Sequence, residues 1–422
     1  MEQSLPNVSA FEAAKLPRHR WYYFKEAFSP AIVEHMIRTS SLSVGSVVFD
    51  PFSGSGTTLL TAAQSDMFGA GIEVNPFLRF VAETKGLQAD EDDFLKAIER
   101  AIEGAKSGLP SHLEEFSTFS EKAPLAQTRD RWLFNSNVLR AYSGASKATE
   151  NEPSSVQKLA KLCLIGAAMD CANASKDGKC LRYKKDWKSR EYNKFDFIDS
   201  LEVRSGIVYD DLKACNTSSY KISVNLGDCR NFDIEKKFDL CVTSPPYLNS
   251  FDYTDVYRPE LFLGRFVSNM NELANLRFNT LRSHVQIKWK DPVENEFGPK
   301  YKEAFEQISS RITDLWNTRL PLMIQAYFED LCLVLRTLRK KAKTNASMCI
   351  VVSTSAYAGV EIPVDLIIAD LANQTGWALR EVTVLRHLKR VSCQQWHKLN
   401  ERKNGPLLRE SMVVLDATPM RG

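Results

Sequence analysis

The sequence predicts an α/β fold: one mostly parallel, seven-stranded sheet carrying a mainly helical insertion. Three observations point there. Short β-branched runs alternate with helical patterns near the start of the chain. A glycine-rich loop joins the first such run to the helix after it. After a long, polar, helix-like stretch, strand patterns resume and one closes on a proline corner.

Composition sets the outer limits. The chain has 422 residues, 44% hydrophobic and 25% charged, which excludes disordered, collagen-like and disulfide-scaffold classes. The length suits two or three units of about 150 residues, or one large domain with insertions. No stretch approaches the roughly 18 uncharged apolar residues of a membrane span. The start carries Glu2 and Glu12 without an apolar core, so no secretory signal is expected and a cytoplasmic setting is. Nine cysteines occur singly, without a C-x-x-C pair, as reduced thiols do. The six histidines show no metal-ligand spacing, so no metal site is expected. A net charge of +3 says little; the placement of Lys and Arg matters more.

Residues 1–89 read as the first half of a catalytic domain. After the aromatic run Trp21–Phe24, Ser29-Pro30 opens a helix carrying Ile32, Val33, Met36 and Ile37. The strand Val47–Phe49 leads into Asp50-Pro51-Phe52-Ser53-Gly54-Ser55-Gly56-Thr57 and a further helix. A second strand ends at Glu73, and Asn75-Pro76 starts another helix. Residues 90–219 are polar and helical, too long for a crossover connection, and read as an insertion. Residues 220–422 return to the sheet with strands near Ile222–Leu226, Phe238–Val242, Met348–Val352, Leu379–Leu385 and Met412–Leu415. The last two lack a helix between them, which suits an antiparallel pair. A second irregular insertion spans about 248–318.

The glycine loop has the chemistry of a nucleoside site. Gly54 and Gly56 allow a sharp turn and close approach to a ligand. A Walker lysine is absent, so the loop is no phosphate cradle. Glu73, ending the next strand, can accept hydrogen bonds from ribose hydroxyls. Asp50 at the loop mouth repels phosphates and suits a cation, which favours a sulfonium-bearing adenosine over NAD or ATP. The Thr243-Ser244-Pro245-Pro246-Tyr247 corner has a different use. Two prolines fix an extended path and remove two donors, leaving rigid carbonyl acceptors at the sheet edge where α/β folds bind ligands. Ser244 and the Pro245 carbonyl suit an exocyclic amine, and Tyr247 suits stacking on a planar base.

Together these motifs resemble the S-adenosylmethionine-dependent DNA amino-methyltransferases, the cytosine-N4 and adenine-N6 enzymes of restriction–modification systems. The resemblance implies a class I methyltransferase fold and S-adenosyl-L-methionine as cofactor. It implies cofactor contacts from Phe24 and Ser29, from Asp50 to Thr57, and from Glu73, Val74 and Asn75, with Asp228 and Cys229 near the adenine. Ser244, Pro245, Pro246 and Tyr247 would be the catalytic motif. In that family a Ser-Pro-Pro-Tyr motif usually accompanies cytosine N4, so cytosine is the expected base and adenine N6 the alternative. An RNA base methyltransferase and a non-catalytic DNA-binding subunit are the more distant readings. Duplex DNA is the implied partner, with a cognate restriction endonuclease left open.

Few residues follow His387, so target recognition is expected from the insertions, chiefly residues 90–219. There, Arg182, Tyr183, Lys184, Lys185, Trp187, Lys188 and Arg190 interleave cations with aromatics, a pattern suited to phosphates and bases. Arg386, Lys389 and Arg390 form a second basic stretch. His284 and the cysteines carry no motif and are expected to be structural.

Overall fold

A computed structural model describes residues 11–177, 180–214, 221–388 and 407–418. Its strands, in chain order, are β1 (Val47–Asp50), β2 (Phe68–Glu73), β3 (Ala174–Asp177), β4 (Cys180–Tyr183), β5 (Ile222–Leu226) and β6 (Phe238–Thr243). They continue with β7 (Ala342–Ser353), β8 (Ser355–Tyr357), β9 (Val360–Ile362), β10 (Trp377–His387) and β11 (Arg409–Ala417). Seven form one sheet in the order β10-β11-β7-β6-β1-β2-β5. β1, β2, β5, β6 and β7 pair in parallel, while β11 runs antiparallel to both β7 and β10. This is the class I methyltransferase arrangement, with the expected antiparallel pair at one edge. The order reverses between β1 and β6, so a crevice opens at their carboxyl ends, where such sheets bind ligands.

The central strands are buried on both faces, as parallel sheets require. Alternation along β1 sends Val47 and Phe49 into one core and Val48 into the other. The first core is closed by the helices Leu320–Lys341 and Val364–Gln374, the second by the helix Pro30–Thr39. Ser29 caps that last helix through its side chain, and Pro30 takes the first turn, as the residue types favour.

Among the described residues, five helices and the β3–β4 hairpin lie between the helix Pro76–Lys85 and β5. The hairpin is a departure from the helical reading of this stretch. Ser175, Lys176 and Asp177 give no apolar alternation in β3, and in β4 only Leu181 and Tyr183 alternate, a run too short to announce a strand. The short β8–β9 hairpin was likewise unannounced. The inserted helices share one continuous core with Trp21, Tyr22, Phe77 and Val81 of the first segment and with Tyr257, Leu261 and Phe262 of the second insertion. None of the described helices is long and apolar enough to cross a membrane.

Because that core is continuous, the insertion should not unfold separately. Phe119→Ala, at a fully buried site, is expected to cost about 3–5 kcal/mol and to lower a single thermal transition. Two resolved calorimetric transitions would contradict the shared core.

Candidate functional site

The loop after β1 and the corner after β6 meet because their strands are neighbours across the sheet's switch point. Asp50 ties them together. Its carboxylate is almost fully buried and accepts from Phe52 N at 2.9 Å, from the Thr58 hydroxyl at 2.8 Å and from the Thr243 hydroxyl at 2.5 Å. The carboxylate therefore faces inward. The expectation that it meets a cation at the loop mouth is replaced by a structural bond between the loop and the residue preceding Ser244. Burial pushes its pKa up to about 6, and the three hydrogen bonds pull the other way.

Glu73 performs the same task on the other side of the loop and also faces the ligand space. One oxygen accepts from Gly54 N at 2.7 Å and the other from Asn75 N at 2.8 Å. Each oxygen keeps lone-pair capacity for a further donor, and the side chain lines the cavity. Burial, with Asp50 nearby, raises its pKa to about 7 against the pull of the two amides. The loop conformation needs its glycines: Gly54 has φ +50° and a Cβ there would lie 3.0 Å from the Phe24 ring. Gly56 has φ +84°, and a Cβ there would lie 2.8 Å from the Ala82 Cβ.

A cavity of about 1140 Å³, its open mouth included, runs from this loop to the proline corner. Of the expected cofactor residues, Phe24, Pro51, Phe52 and Gly54 line it, as do Glu73, Val74, Asn75 and Cys229. The others sit behind the wall. Ser29 caps its helix, the Ser53 hydroxyl donates to the Asp50 carbonyl, and Ser55, Gly56 and Thr57 turn the chain into the helix Thr57–Gln64. The Asp228 carboxylate is clasped by the Arg230 guanidinium, so its neighbours Gly227 and Cys229 face the cavity in its place.

Ser244, Pro245, Pro246 and Tyr247 line the same cavity. The Tyr327 hydroxyl donates to the Pro246 carbonyl at 2.9 Å, whereas among the described residues no group donates to the Pro245 carbonyl. The hydroxyls of Ser355 and Tyr357 both reach the Leu248 carbonyl, the latter at 3.0 Å. The corner is thus braced from β8 and the helix Leu320–Lys341.

Several lining residues carried no sequence signal. Glu26, Asn249, Phe251, Tyr253 and Thr254 face the cavity, as do Asn279, Ser283 and His284. Nearness to the Ser-Pro-Pro-Tyr motif could have flagged residues 249–254; nothing in the sequence flagged His284. That histidine is buried beside Trp289, and burial lowers its pKa, so its imidazole is neutral near pH 7. It is a cavity residue, not the purely structural one expected.

The basic stretch begins on β4 and runs into the following loop. Arg182 pairs with Asp177 and Lys188 with Asp130, while Lys184 meets the Asp170 carbonyl and the Tyr192 hydroxyl. Lys185 and Arg190 are exposed, the latter 5.1 Å from the Tyr192 ring centre. Trp187 packs between Trp132 and Tyr183. The hairpin is anchored beside the cavity. Lys176 pairs with the buried Glu260, which also accepts from the Tyr22 hydroxyl at 2.9 Å, and β4 touches the helix Tyr253–Val256. Arg386 lies across the sheet and pairs with Glu410 at 2.7 Å. Lys389 and Arg390 lie outside the described residues.

The arrangement fits an adenosine-bearing ligand on one side and a planar base on the other. Glu73 offers acceptors for hydroxyls, and the buried Asn75 Nδ2 and Asn249 Oδ1 have no hydrogen-bond partner among the described residues. Such orphaned groups in a cavity wall call for a polar ligand.

Comparison with known proteins agrees with this geometry. A family model described as DNA methylase matches residues 6–83. The chain is 25% identical over 430 residues to the type II methyltransferase M.AvaI of Nostoc sp., covering 92% of this chain and 85% of that one. It is 26% identical over 438 residues to the type II methyltransferase M.BsoBI of Geobacillus stearothermophilus, covering 90% and 82%. The type II methyltransferase M.MjaII of Methanocaldococcus jannaschii is 24% identical over 339 residues, covering 58% of this chain and 62% of that one.

The raised pKa of Glu73 fixes the sign of a pH effect. Only the carboxylate accepts fully from two hydroxyls, so affinity for S-adenosylmethionine should fall as pH drops below about 7 and level off above it. The cofactor-free fold carries the opposite slope: a pKa raised on folding gives stability that is present at low pH and lost as pH rises through about 7. Calorimetric titration across this range checks the first effect. Glu73→Gln should flatten the profile and weaken binding by roughly tenfold; a flat profile in the unaltered protein would remove Glu73 from ligand contact.

Proposed function

We propose that this S-adenosylmethionine-dependent DNA amino-methyltransferase, of the restriction–modification type, methylates the exocyclic N4 of a cytosine taken out of the duplex. The observation that carries the reading is the single cavity shared by the Gly54–Glu73 side and the Ser244–Tyr247 corner. A donor held on one side and a base on the other come within reach of one-carbon transfer without a covalent enzyme intermediate.

When bound, the cofactor supplies an electrophilic methyl group on a sulfonium. The protein's part is to prepare the acceptor. The amino lone pair of cytosine is delocalised into its ring and is weakly nucleophilic. The Ser244 oxygen and the Pro245 carbonyl accept the two amino hydrogens, which favours a pyramidal nitrogen with its lone pair directed at the methyl group. Tyr327 already bonds the Pro246 carbonyl, whereas the Pro245 carbonyl accepts from no described residue and keeps both lone pairs for this task. Tyr247 stacks on the base, as flipped bases are commonly held. A serine hydroxyl is too weak a base to remove a proton first, so Ser244 orients the amine. The extra proton passes from the methylated nitrogen to water after transfer, when that nitrogen has become acidic.

Cytosine rather than adenine is supported by serine at the first position of the motif. For DNA, we assign the reading of the target sequence to residues 90–219 with help from residues 248–318. Within them, the loop carrying Lys185, Trp187 and Arg190 is joined through the β3–β4 hairpin to the cavity wall.

Ser244→Ala should lower turnover by roughly 10²-fold or more while leaving cofactor affinity within about twofold of the original; an unchanged rate would remove the assigned role. Expression in a host without DNA methylation, followed by sequencing for modified bases, should give N4-methylcytosine in one sequence context. N6-methyladenine there would overturn the choice of base, and unmodified DNA the proposal as a whole.

A further inference from the structure

The Ser-Pro-Pro-Tyr corner is braced twice, in two different ways. Tyr327 holds the Pro246 carbonyl, and Ser355 and Tyr357 hold that of Leu248, the residue after the corner. A separate bond holds the side chain of Tyr247: its phenol donates to Glu410 Oε1 at 2.5 Å. Glu410 lies on β11, only 5% exposed, and is far from Tyr247 in sequence. Its other oxygen accepts from Arg386 Nε at 2.7 Å. Arg386 and Glu410 are cross-strand partners in the β10–β11 ladder, so sheet register delivers the cation to the carboxylate.

We propose that Glu410 is the positioning residue for Tyr247, fixing the plane of the ring on which the extruded base stacks. The inference rests on the proposed stacking role of Tyr247. An ionised carboxylate accepting from a phenol makes a short, charge-assisted bond, stronger than the neutral bond water would offer. Burying that carboxylate would be costly without the Arg386 cation on its other side. With the phenol pinned at its far edge, the ring cannot swing about its χ angles and one face stays presented to the cavity. Burial and the Glu410 charge both push the phenol pKa up, so the hydroxyl remains a donor over the working pH range. Arg386, named from sequence as a DNA contact, has its Nε committed to this chain while its side chain stays half-exposed.

A double-mutant cycle tests the proposal on the full chain. Glu410→Ala should lower kcat by roughly 10²-fold, the scale of a small misplacement at a reacting centre, with KM for the cofactor unchanged. Tyr247→Phe, which keeps the ring and loses its anchor, should lower kcat comparably, and the double variant should be no slower than the worse single one. Glu410→Gln should fall between the unaltered protein and Glu410→Ala, because its amide oxygen still accepts from the phenol while its NH2 loses the bond from Arg386. A fluorescent purine analogue at the target position, quenched when stacked, should brighten in Glu410→Ala complexes. Multiplicative losses in the double variant, or unchanged fluorescence, would overturn the inference. If Glu410→Ala fails to bind cofactor, Tyr247→Phe decides alone, and a rate equal to that of the unaltered protein would overturn the proposal. Failure of the unaltered protein to methylate DNA would count against the proposed function, whereas active protein with additive variants would count against Glu410 only.

Discussion

The buried carboxylate of Asp50 is the constraint on which the site's geometry depends. It is the last residue of β1, and its three hydrogen bonds reach the turn after it, the helix after that turn and the last residue of β6. A charged group in a site this dry is tolerated only when its lone pairs are filled. Filling them here fixes the distance between the two loops that must cooperate. Glu73 repeats the device from β2, gripping Gly54 from below while still facing the ligand space. Burial raises the pKa of both carboxyls, and the nearby Asp50 charge adds to the effect at Glu73.

The corner is rigid for reasons beyond its prolines. Fixed φ angles stiffen the chain locally, and hydroxyls on later elements hold the Pro246 carbonyl and that of Leu248 just after the corner. Tyr327 fills one lone pair of the Pro246 carbonyl and leaves the Pro245 carbonyl next to it unbonded among the described residues. The half of the sheet that follows the corner is therefore a brace for it, with β11 and β10 reaching as far as the Tyr247 side chain.

The helical insertion is built onto the catalytic fold rather than hung from it. Trp21, Tyr22, Phe77 and Tyr257 belong to its core, and the hairpin residue Lys176 sits 3.7 Å from the Tyr257 ring centre. Tyr257 in turn donates to Glu26, which faces the cavity. Packed side chains thus run without a break from the basic hairpin to the cavity wall.

The sequence by itself determined the layers, the seven strands and both motifs, because strand burial and turn chemistry are local: β-branched runs, glycines at positive φ and paired prolines each declare themselves within ten residues. It located Gly54, Glu73 and Ser244–Tyr247 for the same reason. Only the tertiary structure decided which of the motif residues face the ligand. Asp50 and Asp228 look alike as acids after strands, yet one is filled by Thr243 and the other by Arg230. The roles of Glu410, Tyr327 and His284 depend on sheet register and on loops folding back over long sequence separations, which no local pattern encodes. The β3–β4 strands were invisible for a related reason: their apolar residues, Ala174, Leu181 and Tyr183, are few, and the pairing of Lys176 with Glu260 that anchors them spans a long sequence separation.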